Sequence, residues 1–237
     1  MHIPRLQVRL CDLIAMTCLC FCFANTPVLA NADAKWLPEA RYSVNYAGTD
    51  AGHLQVSVEM KGDRIAVTTV SELSAVASLF LKGYTSETVF ELQNDSLALI
   101  SGSERVIGKS SGGRSYRITD DHHLVYGTGE SIPVADRFPP HAAAFPLQLV
   151  FADIQQIGET SILEVSSKRA RRYTYKQPEL DTIDTKNGSL EAWRIERFRV
   201  DRPESTVTMW IATTGHRMPH RIVVVNKGRT TTMELTR

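Results

Sequence analysis

The sequence predicts a mainly β protein, and three observations carry that prediction. Apolar and polar residues alternate over most of the chain, the alternating runs are separated by short turn signals, and one longer stretch has helical periodicity instead.

The first element in order is a leader. Arg5 and Arg9 precede the apolar run Leu10 to Ala24, which is broken only by Asp12, and "NTPVLA" follows, ending at Ala30. A basic start, a short apolar centre and small residues before a cut are the marks of a secretory signal peptide. The run is shorter than the ~20 apolar residues a membrane span needs. Cleavage is expected after Ala30, or alternatively after Ala32, leaving residues 31–237 as a single β-rich domain. All four cysteines (Cys11, Cys18, Cys20, Cys22) precede that cut. The mature chain therefore lacks disulfides, cysteine metal sites and thiol nucleophiles. None of the cysteines has the flanking residues of a lipid-attachment site, so a soluble, unlipidated periplasmic protein is expected. The whole chain has 27 Lys and Arg against 26 Asp and Glu. Removing Arg5, Arg9 and Asp12 balances the two, which argues against a nucleic-acid partner.

Strands come next. Tyr42, Val44 and Tyr46 alternate with polar residues, and Leu54, Val56, Val58 and Met60 do the same, so the mature chain is expected to open as a hairpin turning at Asp50 to Gly52. Ile65 and Val67 begin a third strand after "KGD". Thr88, Phe90 and Leu92 precede the turn at Asn94 and Asp95. Later, "SLEAWRIERFRV" and "STVTMWIATT" flank "DRPE", where Pro203 suits a turn, and "RIVVV" and "TTMEL" flank "NKGR". Both faces of "IVVV" are apolar, predicting a strand covered on each side.

Two stretches read as helices. "SAVASLFL", Ser74 to Leu81, is a short helix or a strand, with Gly83 as its C-cap. In "FPLQLVFADIQQIG" Leu147, Val150, Phe151 and Ile154 fall at helical spacing, with Gln148, Asp153 and Gln155 opposite and Pro146 in the first turn. The expected amphipathic helix, 146–157, must lay its apolar stripe on a sheet or close over a cavity.

Chemistry-bearing motifs are few. His216 and His220 in "TTGHRMPHRIVVV" would share a helical face, but Pro219 and Gly215 oppose a helix, and the flanks are strand-like. Read as strand, turn, strand, the pair stands about 13 Å apart, too far for one ion. "TDDHH", Thr119 to His123, reads as a polar turn in which Asp121 with His123, or Asp120 with His122, can converge. "IGKSSGG" is similar to a phosphate-binding loop, but Ser103 stands where the first glycine belongs and no helix follows. No Gly-x-Ser-x-Gly elbow occurs, so no catalytic residue, metal site or cofactor is assigned and an enzyme is not expected. The strand "SSKRARRYTYK" gathers Lys168, Arg169, Arg171, Arg172 and Lys176 around Tyr173 and Tyr175. It is a candidate contact for an anionic lipid or acidic partner, or an edge strand kept soluble by charge.

"ARYSVNYAGTDAGHLQVSVEMKGDRIAVTT", "FPLQLVFADI", "DTKNGSLEAWRIERF" and "MWIATTGHRMPHRIVV", in this order, resemble the exported bacterial family called domain of unknown function 3108. The likeness spans Ala40 to Leu235 and rests on Tyr42, Gly48, Gly52, Gly188, Trp210, Pro219 and Arg221, none of them catalytic. It implies a curved antiparallel sheet or incomplete barrel with one or two short helices on its concave side, similar in plan to periplasmic lipoprotein carriers. Two functions are then expected, the first leading and the second its alternative. One is a carrier whose concavity, lined by Leu147, Val150, Phe151, Ile154, Trp193 and Trp210, holds an acyl chain or apolar polypeptide under a helical lid. The other is an envelope assembly protein with a packed core that acts through its surface, and a hydrolase is a distant third.

Overall fold

Period-two alternation resolves into one large sheet in the computed structural model, which describes residues 36–79, 82–94, 96–108, 113–135 and 139–236. The leader and its cut lie outside these residues. The first half supplies β1 (Glu39–Tyr46), β2 (Thr49–Lys61), β3 (Arg64–Leu73), β4 (Tyr84–Gln93), β5 (Ser96–Val106), β6 (Arg114–Ile118), β7 (His123–Tyr126) and β8 (Glu130–Pro133). The second half supplies β9 (Pro140–Ala142), β10 (Ser161–Ser166), β11 (Arg169–Tyr175), β12 (Glu179–Thr185), β13 (Gly188–Arg199), β14 (Arg202–Ala212), β15 (Pro219–Asn226) and β16 (Arg229–Leu235).

The strands follow one ladder, from β8 in sequence down to β1, then β16 down to β13, then β11, β10 and β9. All pairings are antiparallel except β9 with β10, and β12 pairs with the far end of β13 beside β11. The ladder does not close, because β8 and β9 are its two ends. It does curl. Leu124 of β7 and Ala142 of β9, from opposite ends, belong to the same buried cluster as Tyr42, Val56, Ile195 and Met209 from the middle. The chain is thus a mostly β, open and strongly curved sheet whose inner face is the core.

Turns differ in detail from the sequence reading. The first hairpin turns at Ala47 and Gly48, not at Asp50 to Gly52, which lie within β2 at an irregularity opposite Val44 and Asn45. Gly52 there has φ +108°, and a Cβ would sit 2.1 Å from the carbonyl oxygen of Glu72, so only glycine fits. Pro203 lies just inside β14, in the stretch skipped between the Phe198–Thr206 and Arg199–Arg202 pairs, where no ladder donor is required. Val223 and Val225 of β15 are half-buried rather than covered.

Both helical stretches are helices, but short ones. Ser74 caps α1 (Ala75–Ser78) by accepting from the Ala77 amide, and this turn packs on the ends of β2 and β3. The expected helix 146–157 is divided. It becomes α2 (Leu147–Phe151) and a 3₁₀ turn at Ile154–Gln156, separated by extended backbone at Ala152 and Asp153. Asp153 breaks the helix by capping the Gln155 amide, as short acidic side chains do at a helix start.

Every residue of α2 is buried. Gln148, expected on the solvent side, is 9% exposed and ties the end strand β9 to the start of β5, which runs past the residues paired with β6. Its Oε1 accepts from the Ala142 amide of β9 at 3.0 Å. Its Nε2 donates to the Leu97 carbonyl of β5 at 3.2 Å and to the Pro140 carbonyl of β9 at 3.0 Å. A near-isosteric Gln148→Met change keeps the volume but leaves these buried groups without partners, and should cost roughly 2–4 kcal/mol in urea denaturation. The exposed Gln155→Met serves as the control. Equal stability of the two variants would show that the glutamine does not hold the seam.

Candidate functional site

The inner face of the curved sheet is filled by α2. Leu147, Val150, Phe151 and Ile154 are no more than 6% exposed and belong to the central buried cluster. Trp36 stacks on Phe151 with ring centroids 5.0 Å apart, so the first described residue of the chain covers the helix. Phe145, just before α2, leans on Tyr42 at 5.9 Å. Trp193 is half-buried against the same cluster. Trp210 is placed elsewhere. It alternates with the buried Met209 and Ile211, donates its indole N–H to Asp181 at 2.8 Å and lies near the Arg221 guanidinium. Five of the six candidate lining residues thus converge on one packed region, and the sixth belongs to a polar network on the other side of the sheet.

The stretch "TTGHRMPHR" holds the helix in place. It comprises the connection 213–218 and the first residues of β15; Met218 is fully buried and Arg217 donates to the Ala152 carbonyl at the end of α2, at 3.1 Å. His216 and His220 are not 13 Å apart. Because His216 lies in the connection rather than on a strand, the two rings stack with centroids 5.0 Å apart. Burial pushes both imidazoles below the usual histidine range, and for His220 the neighbouring His216 adds to it. Among the described residues no three metal-ligating side chains converge. Asp121 and His123 do approach, at 3.2 Å, in an exposed turn.

A charged cluster that sequence reasoning missed lies at the β9 end of the inner face. Glu164 of β10 is an ion-pair partner of Arg197 on β13, with both side chains largely buried. The Arg197 guanidinium also sits 4.9 Å from the Tyr173 ring centre. Burial opposes its charge, but Glu164, with Tyr175 and Tyr173, outweighs burial and raises its pKa. His141 of β9, opposite Glu164 in the ladder, is half-buried with its ring beside Tyr175, and desolvation of the ring followed by the Arg197 charge pushes its pKa down to about 3.

The basic stretch is dispersed by the same strands. Tyr173 and Tyr175 turn into the core, so the strand carrying them is no edge: β11 is paired on both sides, to β10 and β13. Arg169 and Arg171 fall on the tyrosines' side, and Arg171 is held below its usual range by burial and by the charges of Arg169 and Arg199. Arg172 is exposed, and Lys176 is paired with Glu196. Lys168 lies in the β10–β11 turn, at a groove.

That groove, about 660 Å³, opens where the curled sheet brings the ends of β4, β5 and β6 opposite the β10–β11 turn. Tyr84 and Val106 line one wall and Ala143 and Ala144 the other. Arg105, Arg114 and Lys168 stand around it, all exposed, with Glu104 at its edge. Glu104 is already engaged: its carboxylate accepts from the Ser167 hydroxyl at 2.6 Å and the Ser167 amide at 3.3 Å. The Ser167 carbonyl accepts in turn from the Gly127 amide at 3.0 Å. The groove is therefore a second tie across the seam as well as an opening.

Fold and site together define a half-barrel with a helical plug and a charged groove at its seam. No protein-family model matches the chain, and no curated protein matches it, so the likeness to domain of unknown function 3108 remains a resemblance. Among solved structures it is similar to a β-barrel-like protein of domain of unknown function DUF1849 from Brucella abortus. The TM-score is 0.54 at 8% identity, over 86% of this chain and 98% of that one. A DUF1089 family protein from Pseudomonas aeruginosa aligns with a TM-score of 0.36 at 12% identity, over 74% of this chain and 85% of that one. The first likeness supports the β-barrel-like fold.

His141 makes the fold acid-sensitive. Its folded pKa lies below the unfolded value of about 6.5, so the native state holds fewer protons and loses stability as pH falls through that value. Between pH 7.5 and pH 5 this group alone should remove roughly 2 kcal/mol from the urea unfolding free energy. His141→Phe should abolish that share of the loss. An identical pH dependence in the variant would show that another group is responsible.

Proposed function

We propose that this protein is exported to the periplasm by its cleaved leader and works there as a non-catalytic binding module that acts through its surface. The observation that supports the reading is the burial of all of α2: the concave face, where a carried ligand would lie, is occupied by Leu147, Leu149, Val150 and Phe151. Among the openings that remain is the seam groove, with cations around it and a tyrosine in its wall. In this reading the helix is core, and an envelope partner or ligand is met at the mouth of the half-barrel.

Carriage of an acyl chain or apolar polypeptide segment is the second reading, and one observation favours it. The plug is a helix of five residues with no side-chain cap at Pro146, held at its far end through the Arg217 contact to Ala152. Apart from the Gln148 bonds, the rest of its seat is largely apolar packing, which an apolar ligand could replace.

Phe151→Ala separates the two when combined with native mass spectrometry of the exported protein. A packed core predicts a bare mass for the folded wild type and a loss of about 3–5 kcal/mol in the variant. A bound lipid in the wild type, lost in a variant of nearly unchanged stability, would replace the surface reading with the carrier.

A further inference from the structure

We infer that the seam groove binds a small anionic amphiphile, a phosphate or carboxylate head on a short apolar body. This rests on the surface-binding reading above and names its ligand. Three observations lead to it.

The first is an imbalance of charge. Arg105, Arg114 and Lys168 face the groove, and among the described residues none forms an ion pair. The charge of Arg114 is felt at Glu130, where it adds a little to the effect of backbone hydrogen bonds in lowering that carboxyl's pKa. The groove's own carboxylate, Glu104, is held by Ser167 and keeps its charge, so three cations stand around the opening against one anion. Some cations elsewhere are matched, Lys176 and Arg194 with Glu196, Arg199 with Asp201 and Arg221 with Glu234. Others among the described residues, such as Arg64, Arg117, Lys186 and Lys227, are not but do not line this groove; what sets the groove apart is that three gather around one concavity. Cations left unmatched around a concavity favour an anion, and two guanidinium groups suit the oxygens of a phosphate or carboxylate.

The second is the apolar wall. Tyr84, Val106, Ala143 and Ala144 give the groove a hydrophobic side that a bare inorganic ion would not use. The third is size. A volume near 660 Å³ falls within the range of small-molecule sites, larger than one ion needs. Glu104, lying beside the seam contacts, also sets a polarity: an anionic head is repelled from it and drawn to Arg105, Arg114 and Lys168.

Isothermal titration of the mature protein with dodecyl phosphate, kept below its micelle concentration, tests the inference. Saturable one-to-one binding is expected, weakened at least about tenfold in an Arg114→Glu, Lys168→Glu variant whose circular dichroism is that of the wild type. Arg114→Gln and Lys168→Gln, singly, guard against misfolding of the double variant and should each give an intermediate loss. Lys227→Glu, in the β15–β16 turn, should bind as the wild type does. Inorganic phosphate should compete, but more weakly; equal affinity for the two would remove the apolar half of the inference. Binding of dodecyltrimethylammonium as tight as that of dodecyl phosphate, equal binding by the reversed variant, or binding only to phosphatidylglycerol vesicles and not to the monomer would overturn it. Such a failure leaves the surface reading standing on its own test, whereas a lipid found against Phe151 would sink that reading whatever the titration gives.

Discussion

A sheet that curls without closing leaves a gap across its seam and an apolar inner face, and Gln148 addresses both at once. Its amide reaches β5 on one side of the gap and β9 on the other, while the helix that carries it fills the hollow. Without such a bridge, the backbone groups at the seam would be buried unsatisfied or left open to strand addition. Much of the rest is arranged around keeping α2 seated. Arg217 grips its C-terminal carbonyl, Trp36 covers Phe151, and Met218 closes the space beside it.

The consequence for function is one of location. With the hollow occupied, a binder would be met at an opening outside it, and the groove at the seam is one such opening. Ser167 shows how closely architecture and opening are linked there. The turn that carries it is drawn to Glu104, which holds the carboxylate at the edge of the groove while Arg105, Arg114 and Lys168 stay exposed to solvent. The buried Glu164–Arg197 pair behaves differently. It sits among aromatic rings, where a charge pair is costly to desolvate and contributes orientation more than stability.

Much of the fold was legible in the sequence because alternation is a local signal. The buried Leu54, Val56 and Val58 of β2 follow from their spacing, as does the turn at Lys227 and Gly228. The apolar spacing of Leu147, Val150, Phe151 and Ile154 was legible for the same reason, but the division of the expected helix 146–157 was not, and Ser74 to Leu81 read equally as helix or strand. What failed depended on contacts distant in sequence. Gln148 reads as solvent-facing by helical periodicity, and only the meeting of β5 and β9 makes it central. Glu164 and Arg197 lie 33 positions apart on strands whose adjacency no local pattern reveals. The tyrosines beside the basic residues were visible, but their burial required knowing that β11 is an interior strand. His216 and His220 were misplaced because a strand rise was applied to a connection that folds back on itself.

The central claim is that α2 is core and not a lid, and native-state hydrogen exchange tests it most directly. The amides of Leu149 and Ala152, bonded to the carbonyls of Pro146 and Gln148, report on the helix alone. If the helix is core, these amides should exchange within about tenfold of those in the centres of β2 and β3, opening only when the sheet opens. Exchange many orders of magnitude faster in α2, with the sheet still protected, would mean that the plug leaves its seat in the native state and would contradict the account.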